Sequence, residues 1–376
     1  MQIVNAQIYG TDFTFHQGAI GVEGDKFTTP SESSGEVVDA KGLYAIPGLV
    51  DIHFHGADGA DFMDGTPEAL HTIASYEASV GVTSICPASM TMGREDILKA
   101  CANAAAFKAG EHEANLVGIN MEGPFVSHQK VGAQNPAFVL KPSAEFFREA
   151  QQAANGLIKL MAIAPETEGA LDTIRALKDE VLCSIAHTGA GYELACEAIN
   201  SGATHITHLY NAMPSLHHRE PGPIAAGADA PWCEAEIICD GIHIHPAAVR
   251  CAFKLYGPER MILISDSMMA TGLKNGVYQL GGQRVTVTDR KALLDNGTIA
   301  GSATNLFDCM KTAVTKMQIP FETAVRCASW NPARSIGVLG TVGSIEPGKE
   351  ASLLLVDKEL NLKAVLLRGR WLKCEL

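Results

Sequence analysis

Apolar runs of four to seven residues recur through the middle of this chain, at 46–52, 82–87, 116–121, 157–163, 181–186, 203–207, 236–239 and 261–265. Most gaps between them carry apolar residues at helical spacing, for example 66–80, 93–109, 142–154 and 189–201. Strand–helix alternation predicts an α/β fold with a parallel sheet, and eight strands is the number that closes a (β/α)8 TIM barrel. A doubly wound open sheet is the rival, but no Gly-Xaa-Gly-Xaa-Xaa-Gly fingerprint follows the early strands. The chain ends read differently. Short strands at 2–9, 18–22 and 35–39 are echoed by 351–356 and 362–368, with a turn-rich stretch at 340–349 before the second set. Chain termini often lie close together, so the two sets predict one small β-sandwich built from both ends. The expected division is 1–45 and 343–376 for the sandwich and 46–342 for the barrel.

Composition narrows the possible partners. The chain has 376 residues, enough for one barrel and a small second domain, and 47% are hydrophobic against 19% charged. With 42 acidic and 29 basic residues the net charge is −13, and no Lys/Arg run stands out. Nucleic acid and membrane are therefore not expected as partners. Met1–Ala6 lacks the basic and apolar regions of a signal peptide, and no apolar run nears the roughly 20 residues that span a bilayer. Ten scattered cysteines without a Cys-Xaa-Xaa-Cys pair read as reduced thiols, and the expected address is cytoplasmic.

The candidate chemistry collects at the ends of the predicted strands. His53 and His55 follow the first, Glu122 the third, Glu166 the fourth, His187 the fifth, His208 the sixth, Asp240 and His243 the seventh, and Asp266 the eighth. In a barrel those ends share one rim, where active sites sit. Residues two apart on an extended segment point the same way, so His53 and His55 form a pair of imidazoles. A carboxylate at the end of a buried strand is costly unless paired, and a divalent cation is a suitable partner for Glu122. Glu122, His187 and His208 make a carboxylate-plus-two-imidazole set with room for a further ligand, as catalytic metals require. His53 and His55 can supply a second ion, with Glu122 bridging. Asp266 suits a general acid/base beside water that a metal has acidified to a pKa of about 7. Histidine and carboxylate accept zinc, iron, cobalt or manganese alike, so one or two divalent ions per subunit are expected without a choice of element. His205 is read as a core histidine or one standing behind the site; His217 and His218 as solvated.

With these motifs aligned, the chain resembles the N-acetylglucosamine-6-phosphate deacetylases of the amidohydrolase superfamily, nearly end to end. The likeness rests on Pro47-Gly48-Leu49-Val50-Asp51-Ile52-His53-Phe54-His55-Gly56, Glu122-Gly123-Pro124-Phe125 and Thr207-His208-Leu209-Tyr210-Asn211-Ala212-Met213. Arg219-Glu220-Pro221-Gly222, Asp240-Gly241-Ile242-His243 and Ser265-Asp266-Ser267 continue it. The resemblance implies removal of acetate from a 6-phosphorylated 2-acetamido sugar by a homodimer. It implies Glu122, His187 and His208 as ligands of the principal ion and Asp266 as the acid/base. It also implies that Asn211 and Ala212 meet the sugar while Arg219 and His243 meet the phosphate, Arg219 in its own or a neighbouring subunit. An arginine supplies the planar multi-donor contact that phosphate rewards, which lets an acidic protein hold an anion.

The chain departs from some members in two ways. It keeps both histidines of the first strand, and it has Gln134 where those members carry a carbonyl-polarising histidine. A second ion at His53 and His55 is expected to take over part of that polarisation. The nearest rival is another amidase of the superfamily, D-aminoacylase-like or dihydroorotase-like. Many such enzymes use a carbamylated lysine at the end of the fourth strand, whereas Lys159 lies near the start of its run. A non-catalytic scaffold is disfavoured because the ligand set is complete.

Overall fold

The computed structural model describes residues 1–33 and 35–376. Eight parallel strands occupy the middle of the chain: β1 (Leu49–Asp51), β2 (Val82–Ile85), β3 (Ile119–Met121), β4 (Ile158–Ile163), β5 (Leu182–Ile185), β6 (Ala203–Ile206), β7 (Glu234–Ile238) and β8 (Met261–Ile264). β3 to β8 pair in chain order, and β1 pairs with β2. Backbone bonds bridge the two remaining gaps. Asn120 N donates to Pro87 O (2.9 Å) between the ends of β2 and β3, and Asp266 N donates to His53 O (2.9 Å) just beyond β8 and β1. The result is a curled parallel sheet in which β8 comes back beside β1.

Side-chain alternation along each strand gives the curl an inside and an outside. Inside, Val50, Ile52, Cys86, Leu160, Ile238, Ile262 and Ile264 pack together with Ala333, Ile336 and Val342. Ala333 lies within, and Ile336 and Val342 follow, the helix Trp330–Ser335, which is tied to the amino ends of the strands: Asn331 Nδ2 donates to Pro258 O (2.7 Å) and Met261 O (2.8 Å). The amino end is therefore plugged with apolar side chains, and polar groups are left to the carboxyl end.

The chain termini build one mixed sheet of eight strands, with Gln2–Tyr9 and Phe15–Glu23 beside Tyr44–Pro47, Leu353–Val356 and Leu362–Leu367. One face packs Ile3, Ile20, Val22, Phe27, Leu353, Leu355 and Leu366 into its own core. The other sends Ile46, Leu354, Val356, Val365 and Leu367 into the main core. The run 46–52 is thus not a single strand. Tyr44–Pro47 pairs antiparallel with Leu353–Val356, and after Gly48 the chain enters the parallel sheet. A Cβ at Gly48 would lie 2.1 Å from Thr83 Oγ1, so the crossing between sheets admits only glycine.

Two further features were not anticipated. Lys26–Thr28 and Arg370–Cys374 extend the terminal sheet, and a three-stranded antiparallel meander (Gly276–Leu280, Gln283–Thr288, Lys291–Leu294) is inserted after β8. Gln283 Nε2 donates to Ala133 O (2.6 Å), which leans the meander against the loop after β3. Among the described residues the ten cysteines are free of disulfides, and no helix is long and apolar enough to cross a membrane.

One buried group runs against the packing. Glu77, on the inner face of the helix Pro67–Ser79, is fully buried, and neither carboxyl oxygen has a hydrogen-bond partner. Burial, helped by the nearby Asp51 carboxyl, pushes its pKa well above the usual 4.5. A carboxyl whose folded pKa is raised costs stability as pH climbs from the unfolded value through the folded one. Glu77→Leu is therefore expected to raise the melting temperature, and by more at pH 8 than at pH 5. Removing an unsatisfied buried polar group is worth about 1–3 kcal/mol. Equal melting temperatures at both pH values would show that Glu77 has partners in solution.

Candidate active site

Six of the predicted residues converge just beyond the carboxyl ends of the strands. His187, His208 and Asp266 each leave their strand with a positive φ (43°, 28° and 49°), a conformation that L-residues adopt at a cost and that turns the side chain inward. Glu122 sits at the centre. Its Oε1 lies 3.0 Å from His187 Nε2, 3.1 Å from His208 Nε2 and 3.4 Å from His53 Nε2. Its Oε2 lies 3.2 Å from His55 Nε2, which is also 3.3 Å from Asp266 Oδ1. Two ligand groups result, His53–His55–Asp266 and Glu122–His187–His208, and Glu122 touches the histidines of both.

The hydrogen bonds behind the rings decide what this cluster can hold. His187 Nδ1 faces Lys130 O (3.1 Å), His55 Nδ1 faces Ala88 O (3.3 Å) and His53 Nδ1 faces Glu236 Oε2 (2.8 Å). Each of those partners can only accept, so each Nδ1 carries a proton and each ring, when neutral, turns an Nε2 lone pair to the centre. There it meets carboxylate oxygens and, between His187 and His208, another ring nitrogen at 3.1 Å. Lone pairs facing lone pairs in a buried pocket demand positive charge. His53 Nε2 is buried without a hydrogen-bond partner, as a ligand atom would be. The donor set fits a divalent ion.

The electrostatics say the same. Burial by itself would push the His55 pKa down, but hydrogen bonds to Asp266 and Glu122 and their charges raise it to about 10. His53 is raised in the same way by Glu236 and Glu122, against its burial. For Glu122 burial acts upward, and the surrounding histidines hold it well below the usual carboxylate range. Asp266 follows the same pattern: burial raises its pKa, and His55 and His53 more than offset that.

The cluster forms one wall of a cavity of about 370 Å³ that is also lined by Lys130, Gln134, Asn211, Ala212, His243 and Leu280. That volume lies in the range of small-molecule sites, roughly 300–1,000 Å³. His243 is held by Asp240, whose Oδ2 meets its Nδ1 at 2.8 Å while Oδ1 accepts from the backbone N–H groups of Ile242 and His243. Burial lowers the His243 pKa, and the Asp240 hydrogen bond and charge outweigh it, so the net shift is upward. Asn211 Nδ2 donates to the His208 and Leu209 carbonyls, and Ala212 O accepts from Thr188 N (3.0 Å), tying the loops after β5 and β6 together. Gln134 has both ends of its amide in use: Nε2 donates to Glu122 Oε2 (2.7 Å) and Oε1 accepts from Thr91 N (2.6 Å).

Arg219 is elsewhere. It is exposed, its Nη1 lies 2.7 Å from His218 Nε2, and it is not among the residues lining the cavity. His217 and His218 are solvated as expected, and His205 is buried and bonded to Glu236 (3.1 Å). Glu236 itself was missed, although a glutamate inside the apolar run Ala235-Glu236-Ile237-Ile238 was a legible signal. Glu166 proves to clamp the loop carrying His187, accepting from Thr188 Oγ1 and Gly189 N at 2.5 Å each.

Residues 44–372 match the model of the amidohydrolase family. The chain belongs to this family. Within it, this amidohydrolase is 38% identical to the N-acetylglucosamine-6-phosphate deacetylase of Bacillus subtilis (strain 168), over 94% of its own length and 92% of the relative's. It is 34% identical to the N-acetylgalactosamine-6-phosphate deacetylase of Escherichia coli O157:H7, over 86% of each. Among solved structures, it is similar to a mutant of the Mycobacterium smegmatis N-acetyl-D-glucosamine-6-phosphate deacetylase in complex with N-acetyl-D-glucosamine-6-phosphate. The TM-score there is 0.92, at 30% identity over 99% of both chains.

The histidine shifts give a stability test for this amidohydrolase. A histidine with a raised folded pKa contributes stability that is full below the unfolded value of about 6.5 and lost as pH rises through the folded one, about 10 for His55. Metal-free protein should lose melting temperature steadily between those limits, and zinc-loaded protein should not. Parallel pH profiles for the two forms would mean that the ring nitrogens do not face a cation site.

Proposed function

We propose that this chain hydrolyses N-acetyl-D-glucosamine 6-phosphate to D-glucosamine 6-phosphate and acetate as a metal-dependent deacetylase. The observation that carries the reading is the pair of buried ligand groups joined through Glu122 beside a small polar cavity, in a chain so like the deacetylases from end to end. Lys159 is the second residue of β4 (Ile158–Ile163), at the amino end of a strand whose carboxyl end faces the cluster, which speaks against a lysine-bridged relative of the dihydroorotase kind.

In this reading Glu122, His187 and His208 hold the principal ion, and His53, His55 and Glu122 hold a second. Zinc, iron, cobalt and manganese all suit such donors. The chemistry that a divalent ion would supply there is polarisation of the amide carbonyl and acidification of the attacking water to a pKa of about 7. Asp266, ionised at neutral pH, takes a proton from that water and returns it to the leaving nitrogen. Asn211 and Ala212 border the sugar. Gln134 steadies Glu122 through its amide and meets the substrate along its edge. His243, its pKa raised by Asp240, meets the phosphate.

Arg219 completes the phosphate site from the neighbouring subunit of a homodimer. Its exposure away from its own cavity and the exposed Leu216 in the same loop support that assignment. The architecture is proposed to be a closed (β/α)8 barrel over 46–342 and a β-sandwich over 1–45 and 343–376, with the chain working in the cytoplasm. The backbone bonds from Asp266 to His53 and from Phe27 to Lys349 support those two closures.

The first test is acetate release by metal-loaded protein from the phosphorylated sugar, its 4-epimer and the unphosphorylated sugar. Strong preference for N-acetylglucosamine 6-phosphate is expected, and Asp266→Asn should retain metal while turnover falls by about 10²–10⁴-fold. No release from any of the three would sink the reading. The KM for the phosphorylated sugar should rise with pH only above the ordinary imidazole value of about 6.5, because Asp240 shifts His243 upward. A KM that climbs below that value would remove His243 from the phosphate site.

A further inference from the structure

Glu236 stands in the middle of β7, fully buried, flanked by Ala235 and Ile237, and it is not among the residues lining the cavity. An isolated buried carboxylate is costly, and this one is compensated at both oxygens. Oε2 accepts from His53 Nδ1 (2.8 Å) and from His208 N (3.2 Å), and Oε1 lies 3.1 Å from His205 Nε2. His205 is buried too, and among the described residues Glu236 is the one hydrogen-bond partner of its ring: its Nδ1 has none, with Glu234 Oε2 3.9 Å away. The arrangement therefore runs in one line, from His205 through Glu236 to His53, whose Nε2 ends the line among the carboxylates of Glu122 and Asp266.

We propose that Glu236 is a positioning residue that commits the His53 proton to Nδ1 and fixes the plane of its ring, thereby setting the affinity of the His53 and His55 site for a second divalent ion. His205 holds Glu236 in turn. The proposal rests on the two-ion reading given above. The physical reason is the shortage of alternatives at this depth. An imidazole ligand must present a lone pair at the metal side and dispose of its proton on the other, and the group behind the ring decides which nitrogen is which. His55 and His187 use backbone carbonyls for this purpose, which mutation of a side chain cannot remove. His53 uses a side chain, so its tautomer alone among the three is open to substitution.

The choice of substitution separates hydrogen bonding from charge. Glu236→Met keeps the volume and removes the acceptor. Glu236→Gln can keep one oxygen towards His53 while its amide group faces His205, which accommodates it by moving its own proton to Nδ1.

The experiment is zinc binding to purified full-length protein by competition with a chromogenic chelator, for the unaltered chain and both variants. The unaltered chain should take two ions. Glu236→Met should bind the weaker ion roughly 10–100-fold less tightly, the loss seen when an outer hydrogen-bond partner is removed, while the tighter ion stays within about twofold. Glu236→Gln should recover most of that loss. A general folding defect would weaken both ions together, and that result overturns the proposal, as does Glu236→Met binding two ions at unaltered affinity. If Glu236→Met does not fold, the Gln variant decides: a small loss confined to the weaker ion supports the assignment, and no loss overturns it. A single ion in the unaltered chain overturns the two-ion reading itself, before either variant is measured.

Discussion

Lone pairs set against lone pairs around the Glu122 carboxylate are the constraint on which the rest of this structure depends. Three imidazoles have their protons committed outward, to Lys130 O, Ala88 O and Glu236, and so present bare Nε2 atoms to the same small volume as Glu122 and Asp266. In water such a cluster would disperse. Here it is held by a sheet whose strand ends cannot move apart without breaking the parallel ladder, and by left-handed backbone at His187, His208 and Asp266. A divalent cation would offset the Glu122 and Asp266 carboxylates, which a protein of net charge −13 adds at its functional centre.

That requirement shapes the architecture at both ends of the strands. Ala333, Ile336 and Val342 seal the amino end with apolar packing, so burial energy is gained where no chemistry is needed. At the carboxyl end the interior turns polar, and several of the polar groups there have a partner that orients them. Glu166 holds the loop after β5, Asp240 orients His243, Gln134 links Glu122 to Thr91, and Glu236 links His53 to His205. Glu166, Asp240 and Glu236, which stand outside the cavity, thus keep residues that face it in place, as preorganised sites require.

Much of this was legible in the amino-acid pattern. Each of the eight apolar runs contributed a strand to the parallel sheet, and His53, His55, Glu122, His187, His208 and Asp266 did come together, because a parallel sheet that curls brings all its carboxyl ends to one rim. The less legible features share a cause. The run 46–52 belongs to two sheets, since nothing local marks the change of partner at Gly48 except that only glycine clears Thr83. The meander at 276–294 is written in short alternating strands whose packing against the Ala133 loop is a contact between segments about 150 residues apart.

What the sequence by itself determined is the set of eight parallel strands, the residue types at their ends and hence the class of chemistry, because period and composition act over a few residues. What only the tertiary structure decided is which nitrogen of each histidine faces inward, that Gln134 is spent on Glu122 and Thr91, and that Arg219 lies away from its own cavity. A ring's tautomer depends on the acceptor behind it, and that acceptor comes from 33 residues away for His55, 57 for His187 and 183 for His53. Local pattern carries no information about a partner at that separation; the curl of the sheet supplies it.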